Sequence, residues 1–417
     1  MGDGEGGIKA HKQNNIRQVL NLIREHETAA VAELAPKSRL SKTTVKKMID
    51  LLVCLGLVQS AGKGLSTDEG GKKPELFRFN PAYGYVISIH VTPEAILAAA
   101  SDLSWGLSQF RKTPVGLKRD LESILALLAG EIRRILGAKA SGREKLLGVV
   151  VALPGLADSS RGISIYSPHY HDWGRNVPFL DLLRERVEEL AAVPLFVDCV
   201  NRYQAFAERV KGVAVGVKNF MIIDAITVGL GAGIFLHGEL MRGHQSLSGE
   251  IGHMTVNPVD GPRCNCGNHG CFEAMVSANR LRALADDARM NGEQSLLFQN
   301  GKMEDFDIAR VCELSGQGDK LCRRLIDDVA RWFAVGLGNI ILTNDPELIV
   351  IQGQYVKAGE CFLKHVREGL RRIGLPDVEK TVRIEFSALG EERGVIGGAA
   401  VVISDFFAKR LSFKEKE

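Results

Sequence analysis

Between Gly249 and Glu273 the chain reads GEIGHMTVNPVDGPRCNCGNHGCFE, and three of its eight cysteines, Cys264, Cys266 and Cys271, fall within eight residues there. His253 precedes the first of them by eleven positions. Three thiolates and one imidazole complete a tetrahedral shell for zinc, and a shell closed by four protein ligands is structural. The glycines and asparagines between the cysteines let a short loop curl until several sulfurs face one point. The competing reading, reduced core thiols beside an incidental histidine, fits poorly because buried cysteines seldom crowd into a polar loop.

A second chemistry-bearing stretch lies near the N-terminus. In RLSKTTVKKMIDLLVCLGLV, Ser41 is a good helix N-cap and Val45, Met48, Ile49, Leu52 and Leu55 form an apolar stripe. Gly56 stands where that helix would stop. Two helical patterns precede it, over 12–26 and around Ala30–Pro36, and two strand-like runs around a Gly/Lys-rich tip follow. Three helices and a hairpin in this order make a winged helix-turn-helix, whose third helix enters the major groove of double-stranded DNA by its N-terminal residues. The predicted contacts are Ser41, Lys42, Thr43, Thr44, Lys46 and Lys47, with Lys63, Lys72 and Lys73 at the hairpin tip reaching backbone or minor groove. The alternative is a protein-binding scaffold with solvated lysines.

Composition bounds the rest. The 417 residues call for two or three domains, and 45% hydrophobic with 25% charged residues is an ordinary soluble balance. No run approaches the roughly 18 apolar residues of a membrane span. The opening MGDGEGGIKAHKQ has no apolar core of an export signal, so a reducing cytoplasm is expected, with thiols rather than disulfides. Residues 1–80 carry 13 Lys/Arg against 9 Asp/Glu; the remaining 337 carry 40 against 41. A mildly basic head on a neutral body places any nucleic-acid contact on the head.

From Tyr83 onward strands and helices alternate. YGYVISIHV, LLGVVVALPG and PLFVD read as buried strands, with helices over Leu121–Leu136 and Phe179–Ala192. A second series follows: FMIIDAITVGLGAGIFL, a helix near Ser277–Arg289, LIVIQG and VRIEFSALG, before a last helix from about Gly394 to Lys409. Two such series predict an α/β body of two lobes. The expected domains are a winged helix-turn-helix over 1–81, a first lobe over 82–200 completed by 394–417, and a second lobe over 201–393 carrying the cysteine loop.

GEIGHM followed by CNCGNHGCFE resembles the zinc signature of the ROK family, which groups sugar repressors, open reading frames and sugar kinases. LPG at 153–155, VGLGAG at 228–233, IQG at 351–353 and GVIGGAA at 394–400 match further landmarks in order. A winged head before such a body resembles the family's xylose and N-acetylglucosamine repressor branch. The resemblance implies a two-lobed actin/hexokinase-like (ribonuclease H-like) body with a sugar between the lobes. Glu250, His253 and Glu273 would touch its hydroxyls, His253 doing so while also binding zinc. SPHYHDWGR (167–175), with His169, His171 and Asp172, would be the loop covering the cleft rather than a second metal site.

Departures from the kinase members are specific. Those begin the body with a strand ending in Asp-Ile-Gly-Gly-Thr, whose backbone cradles ATP phosphates. Here His90 stands at the Asp and Thr92-Pro93-Glu94 replaces Gly-Gly-Thr, so no ATP binding is expected. Kinase members also carry Glu-Asn-Asp-Ala-Asn with a catalytic Asp. In VDCVNRYQAFAE the ungapped register puts Asp198 at the Glu, Cys199 at the Asn and Val200 at the base, and valine accepts no proton. A two-residue slip would instead bring Asp198 into that role. The expectation is a non-enzymatic DNA-binding regulator, a homodimer or homotetramer with structural zinc, answering to a sugar or sugar-derived effector. An active ATP-dependent sugar kinase with a DNA-binding head is the alternative.

Overall fold

The computed structural model describes residues 3–413 apart from 65–72, 118, 141, 143, 227–228, 300–305, 374–381 and 412. The N-terminal head holds α1 (Asp3–Arg24), β1 (Ala29–Ala30), α2 (Val31–Ser38), α3 (Lys42–Cys54), β2 (Val58–Lys63) and β3 (Glu75–Phe79). Ser41 caps α3 as its pattern predicts: the Oγ accepts from Thr44 N at 3.1 Å. Gly56 closes the helix at φ +79°, a left-handed position that favours glycine. The wing is three-stranded, because the two residues of β1 pair antiparallel with β3. So short a strand leaves no alternation to read in the sequence.

Two five-stranded sheets of one design form the body. The first is built from β4 (Gly84–Val91), β5 (Ala95–Asp102), β6 (Leu107–Pro114), β7 (Lys145–Leu153) and β10 (Leu195–Cys199) in the order β10-β7-β4-β5-β6. A two-stranded ribbon, β8 (Leu156–Asp158) with β9 (Ile163–Tyr166), leads from β7 to the loop over the cleft. The second sheet takes β11 (Phe220–Ala225), β12 (Leu230–Leu236), β13 (Glu239–Leu240), β14 (Leu348–Gly353) and β15 (Arg383–Phe386) in the order β13-β12-β11-β14-β15. In each, an antiparallel meander of three strands continues into two parallel ones. The shared topology makes the lobes repeats, as the two strand–helix series anticipate.

Helices cover the sheets. α4 (Leu121–Lys139) and α5 (Phe179–Arg186) pack with the first sheet in one core. The helix expected to run through Ala192 breaks at Val187, whose φ of −125° and ψ of 89° leave the helical region. α6 (Val200–Lys211) leaves the end of β10. The second lobe adds α7 (Phe272–Val276), α8 (Ala278–Met290), α9 (Ile308–Gly316), α10 (Lys320–Asn344) and α11 (Gly359–Leu370) around one large core. The chain returns in α12 (Arg393–Asp405), which ends in a π-turn over Phe406–Arg410.

Two features of α12 position the functional regions. It crosses α6 backbone to backbone: a Cβ on Gly397 would lie 1.6 Å from the Tyr203 carbonyl oxygen, so no other residue fits. Its first residue, Arg393, lines the interlobe cleft, whereas Phe406 and, beyond the π-turn, Leu411 and Phe413 join an apolar core that the head shares with the first sheet and α6. One element thus runs from cleft to head.

Candidate functional site

The cysteine loop starts from a short turn, Ile251–His253, that follows Glu250. Isolated bridges pair Thr255 with Cys271 and Arg263 with His269, folding the loop into a knuckle. Cys264 N donates to Asn268 O at 2.7 Å, and Gly267, at φ +93°, donates its N–H to Cys264 O. Gly270, at φ +66°, lies so close to Asn257 that a Cβ would meet its carbonyl oxygen at 1.7 Å. These constraints bring one ligand atom from each of His253, Cys264, Cys266 and Cys271 within 4.8 Å of one another. A tetrahedron with Zn–S bonds near 2.3 Å has edges of about 3.8 Å. The Cys266–Cys271 sulfurs stand 3.7 Å apart, as do Cys264 Sγ and His253 Nδ1. Donor chemistry and spacing both fit a metal of the zinc type. Among the described residues this is the metal-type group of histidine, cysteine and carboxylate side chains. The histidines of 167–175 do other work: His171 Nδ1 meets Tyr166 Oη at 3.0 Å, while His169 faces the cleft.

The knuckle forms one wall of a cleft of about 690 Å³ between the lobes. His253, Glu250 and Glu273 all line it, with Glu250 Oε2 at 3.9 Å from His253 Nε2 and Glu273 Oε1 at 3.7 Å from Nδ1. Glu273 is also fixed from behind, accepting from Leu230 N at 3.3 Å and from the Cys264 thiol at 3.0 Å. Burial raises the pKa of Glu250. The three expected sugar-contacting residues therefore share one wall, beside the metal-type shell.

The opposite wall carries the departures from the kinase pattern. Val200 and Cys199 line the cleft, and burial pushes the Cys199 thiol up to about 12, so it is neutral. Asp198 does not reach the cleft. It is fully buried, bonded to Arg202 at 2.5 Å and Arg242 at 3.1 Å, and accepts from Cys199 N. Two guanidiniums hold this carboxylate, so the slipped register gains no support from its geometry. His90 sits where a phosphate-loop Asp would stand; burial, reinforced by Arg393, holds its pKa down at about 3. Its Nδ1 and the buried Gln204 Oε1 find no partner among the described residues, and both residues line the cleft. Among the described residues Lys112 and Arg393 are the two Lys/Arg of the lining, and each is paired, with Glu391 at 2.6 Å and Asp224 at 3.4 Å. Glu94, Glu250 and Glu273 complete the lining charge. Such a wall offers acceptors to hydroxyls and no unengaged cation to a phosphate. Gln204, Arg393 and Asp224 were absent from the expected set, since no motif marks them and only the lobe pairing gathers them.

On the head, Ser41, Lys42 and Thr43 are exposed at the start of α3, and Lys47 is exposed one turn on. Thr44 is half-buried, its Oγ1 2.8 Å from Ser41 Oγ, so its hydroxyl serves the cap. Lys46 differs from the expected free phosphate contact. It pairs with Asp50 at 2.8 Å and Glu75 at 3.5 Å and lies 4.9 Å from the Phe77 ring centroid. On the wing, Lys63 and Lys73 are exposed, and Lys72 lies outside the described residues. Arg39, exposed between α2 and α3 at φ 56°, adds a cation that motif reading passed over.

Comparison with known proteins places this geometry. The ROK family model matches residues 88–405. The chain is 28% identical over 404 residues to a xylose repressor of Caldicellulosiruptor bescii, covering 97% of this chain and 98% of that protein. With the DNA-binding transcriptional repressor Mlc of Escherichia coli it shares 26% identity, over 95% of this chain and 94% of that one. A glucokinase of Halalkalibacterium halodurans is 31% identical, over 66% of this chain and 83% of the relative. Among solved structures, a ROK family transcriptional regulator described as a homologue of E. coli Mlc superposes with a TM-score of 0.78 at 25% identity, covering 95% of this chain and 96% of that one. A ROK family glucokinase from Streptomyces griseus, with glucose and AMPPNP, gives 0.61 at 25% identity over 76% of this chain and 99% of its own.

Proposed function

The chain belongs to the ROK family, and from that premise we propose that it is a sequence-specific transcriptional regulator, a repressor of carbohydrate-utilisation genes. The observation that carries the reading is the head: a capped α3 presenting Lys42, Thr43 and Lys47, seated on a body that full-length relatives named as repressors share. In this reading residues 1–81 bind double-stranded DNA. Lys42 and Lys47 contact phosphates, Thr43 reaches base edges or phosphate, and Ser41 and Thr44 fix the helix end. Lys46 holds α3 to the wing through Glu75, and the wing cations Lys72 and Lys73 contribute backbone contacts. The first lobe (82–200 with 394–417) and the second (201–393) enclose an unphosphorylated sugar or sugar-derived effector against Glu250, His253 and Glu273. Zinc bound by His253, Cys264, Cys266 and Cys271 would supply a fixed scaffold for those carboxylates. Effector binding favours one lobe arrangement, and α12 transmits it to the head. Two heads in a homodimer then meet two half-sites at a spacing the effector alters.

The test is fluorescence anisotropy on DNA from the region upstream of the protein's own gene, across a salt series. Affinity should fall steeply with salt, and Lys42→Ala/Lys47→Ala should weaken it about tenfold or more while lowering the salt slope by nearly 2. Absent or salt-independent binding sinks the reading. A second reading, an active sugar kinase with a DNA-binding head, draws on the 31% identity to glucokinase. With valine at position 200 the cleft lacks that reaction's base, and sustained ATP turnover with hexoses, pentoses or N-acetylhexosamines would establish the kinase instead.

A further inference from the structure

A second cavity, of about 360 Å³, lies away from the cleft, where α1 of the head meets α6 and the end of α12. Its chemistry is the reverse of the cleft's. Arg17, Arg24 and Arg209 line it, and among the described residues no Asp or Glu does. Trp105, Phe206 and Phe407 supply aromatic walls. Arg17 is committed: its guanidinium donates to the carbonyls of Phe407, Ala408 and Leu411 and so closes the C-terminal end of α12 and its π-turn. The other two cations have donors to spare. Arg24 lies over the Phe407 ring at 3.9 Å and near Phe79 at 5.5 Å, and its N–H groups meet no acceptor among the described residues. Arg209 uses Nη1 on the Gly238 carbonyl at 2.6 Å. Trp105 adds an indole N–H that is buried and unpartnered. Its backbone takes φ +60°, held by a turn in which Asp102 Oδ1 accepts from Ser104 N and Gly106 N at 2.8 Å each. Burial lowers the Arg24 pKa, against the opposing charge of the neighbouring Glu25.

The buried indole N–H of Trp105 costs free energy until something accepts from it, while the half-buried Arg24 and exposed Arg209 keep donors open to the cavity. A cavity of this volume takes one ring and its substituents. We infer that the head–body joint is a second ligand site, for a small molecule carrying a carboxylate or phosphate on a single ring. The oxyanion accepts from Arg24, Arg209 and the Trp105 indole, and the ring lies against Phe206 and Phe407. Such a ligand bridges head and body directly, since Arg24 belongs to α1, Arg209 to α6 and Phe407 to the π-turn after α12. The inference stands apart from the proposed function: it requires neither DNA binding nor a sugar in the cleft.

Titration calorimetry of the full-length, zinc-loaded protein tests it, with inorganic phosphate, glucose 6-phosphate and benzoate as probes. At least one should bind saturably, and the comparison of glucose 6-phosphate with benzoate tells a phosphate from a carboxylate source. Arg24→Met, which keeps the stem against Phe407, should weaken that binding about tenfold, and Trp105→Phe about fivefold. Trp105→Phe keeps the ring and serves if Arg24→Met folds poorly. Absence of saturable binding to all three up to millimolar concentration overturns the inference. So does binding that is equal in the wild type and both variants.

Discussion

The two cavities differ in charge and in what built them. The cleft is lined by carboxylates whose neighbouring cations, Lys112 and Arg393, are already paired; the joint is lined by arginines and, among the described residues, by no carboxylate. The cleft lies between the lobes, and at the positions where the resemblance to kinase members expects a phosphate loop and a base this chain has His90, Pro93 and Val200. The joint has no counterpart in a kinase without a head, because Arg17 and Arg24 come from α1. The second cavity thus needs the head, and the same two helices, α6 and α12, line both cavities. Residues of α6 face the cleft at Asn201 and Gln204 and the joint at Phe206 and Arg209.

Removing the metal-type shell should separate the two cavities most sharply. Cys266→Ser, or chelation, is expected to lower the melting temperature by about 10 °C, since the knuckle's fold depends on four ligands meeting. Sugar binding should vanish while anion binding at the joint survives at the residual folded temperature. An unchanged melting temperature would show that the knuckle holds itself without metal. Asp198→Asn comes next, acting on both cavities through α6. It leaves Arg202, 2% exposed, without its carboxylate, at a cost of about 3 kcal/mol read from urea denaturation. Full stability in that variant would mean that the Arg202 bonds to the Ala157 and Ser246 carbonyls suffice. The smallest effect belongs to pH. His90 has a folded pKa near 3 against an ordinary 6.5, so the folded protein keeps it neutral while the unfolded chain takes up a proton. Its contribution is therefore complete above pH 6.5 and is lost as pH falls from 6.5 towards 3. His90→Asn should flatten the stability–pH curve in that window, and parallel curves would place the acid sensitivity elsewhere.

Much of this was legible along the chain. The α3 helix, its Ser41 cap and its Gly56 stop follow from neighbours within a few residues, and the cysteine loop gathers its ligands within nineteen positions. Lys46 shows where that reasoning ends. An exposed helical face predicts a free cation, yet Glu75, twenty-nine residues on, folds back beside it. Asp198 could be aligned but not aimed, since its orientation depends on Arg242, forty-four residues away. The helices α9, α10 and α11 are missing from the expected elements although their pattern is local: Phe362, Leu363, Val366 and Leu370 stripe one buried face of α11, and Ile308, Val311, Cys312 and Leu314 one face of α9.

By itself, then, the sequence determined the local chemistry: which loop can hold a metal, which helix can face DNA, and that a valine, Val200, stands where the ungapped register expects a base. Each of these rests on residue type and short spacing, which covalent geometry carries unchanged into the fold. The tertiary structure alone decided which charges are paired, which carboxylate faces the cleft, and that α1, α6 and the end of α12 enclose a second cavity. Those outcomes depend on close approach between segments up to nearly four hundred residues apart, as where Arg17 meets Leu411, and no local pattern encodes such approach.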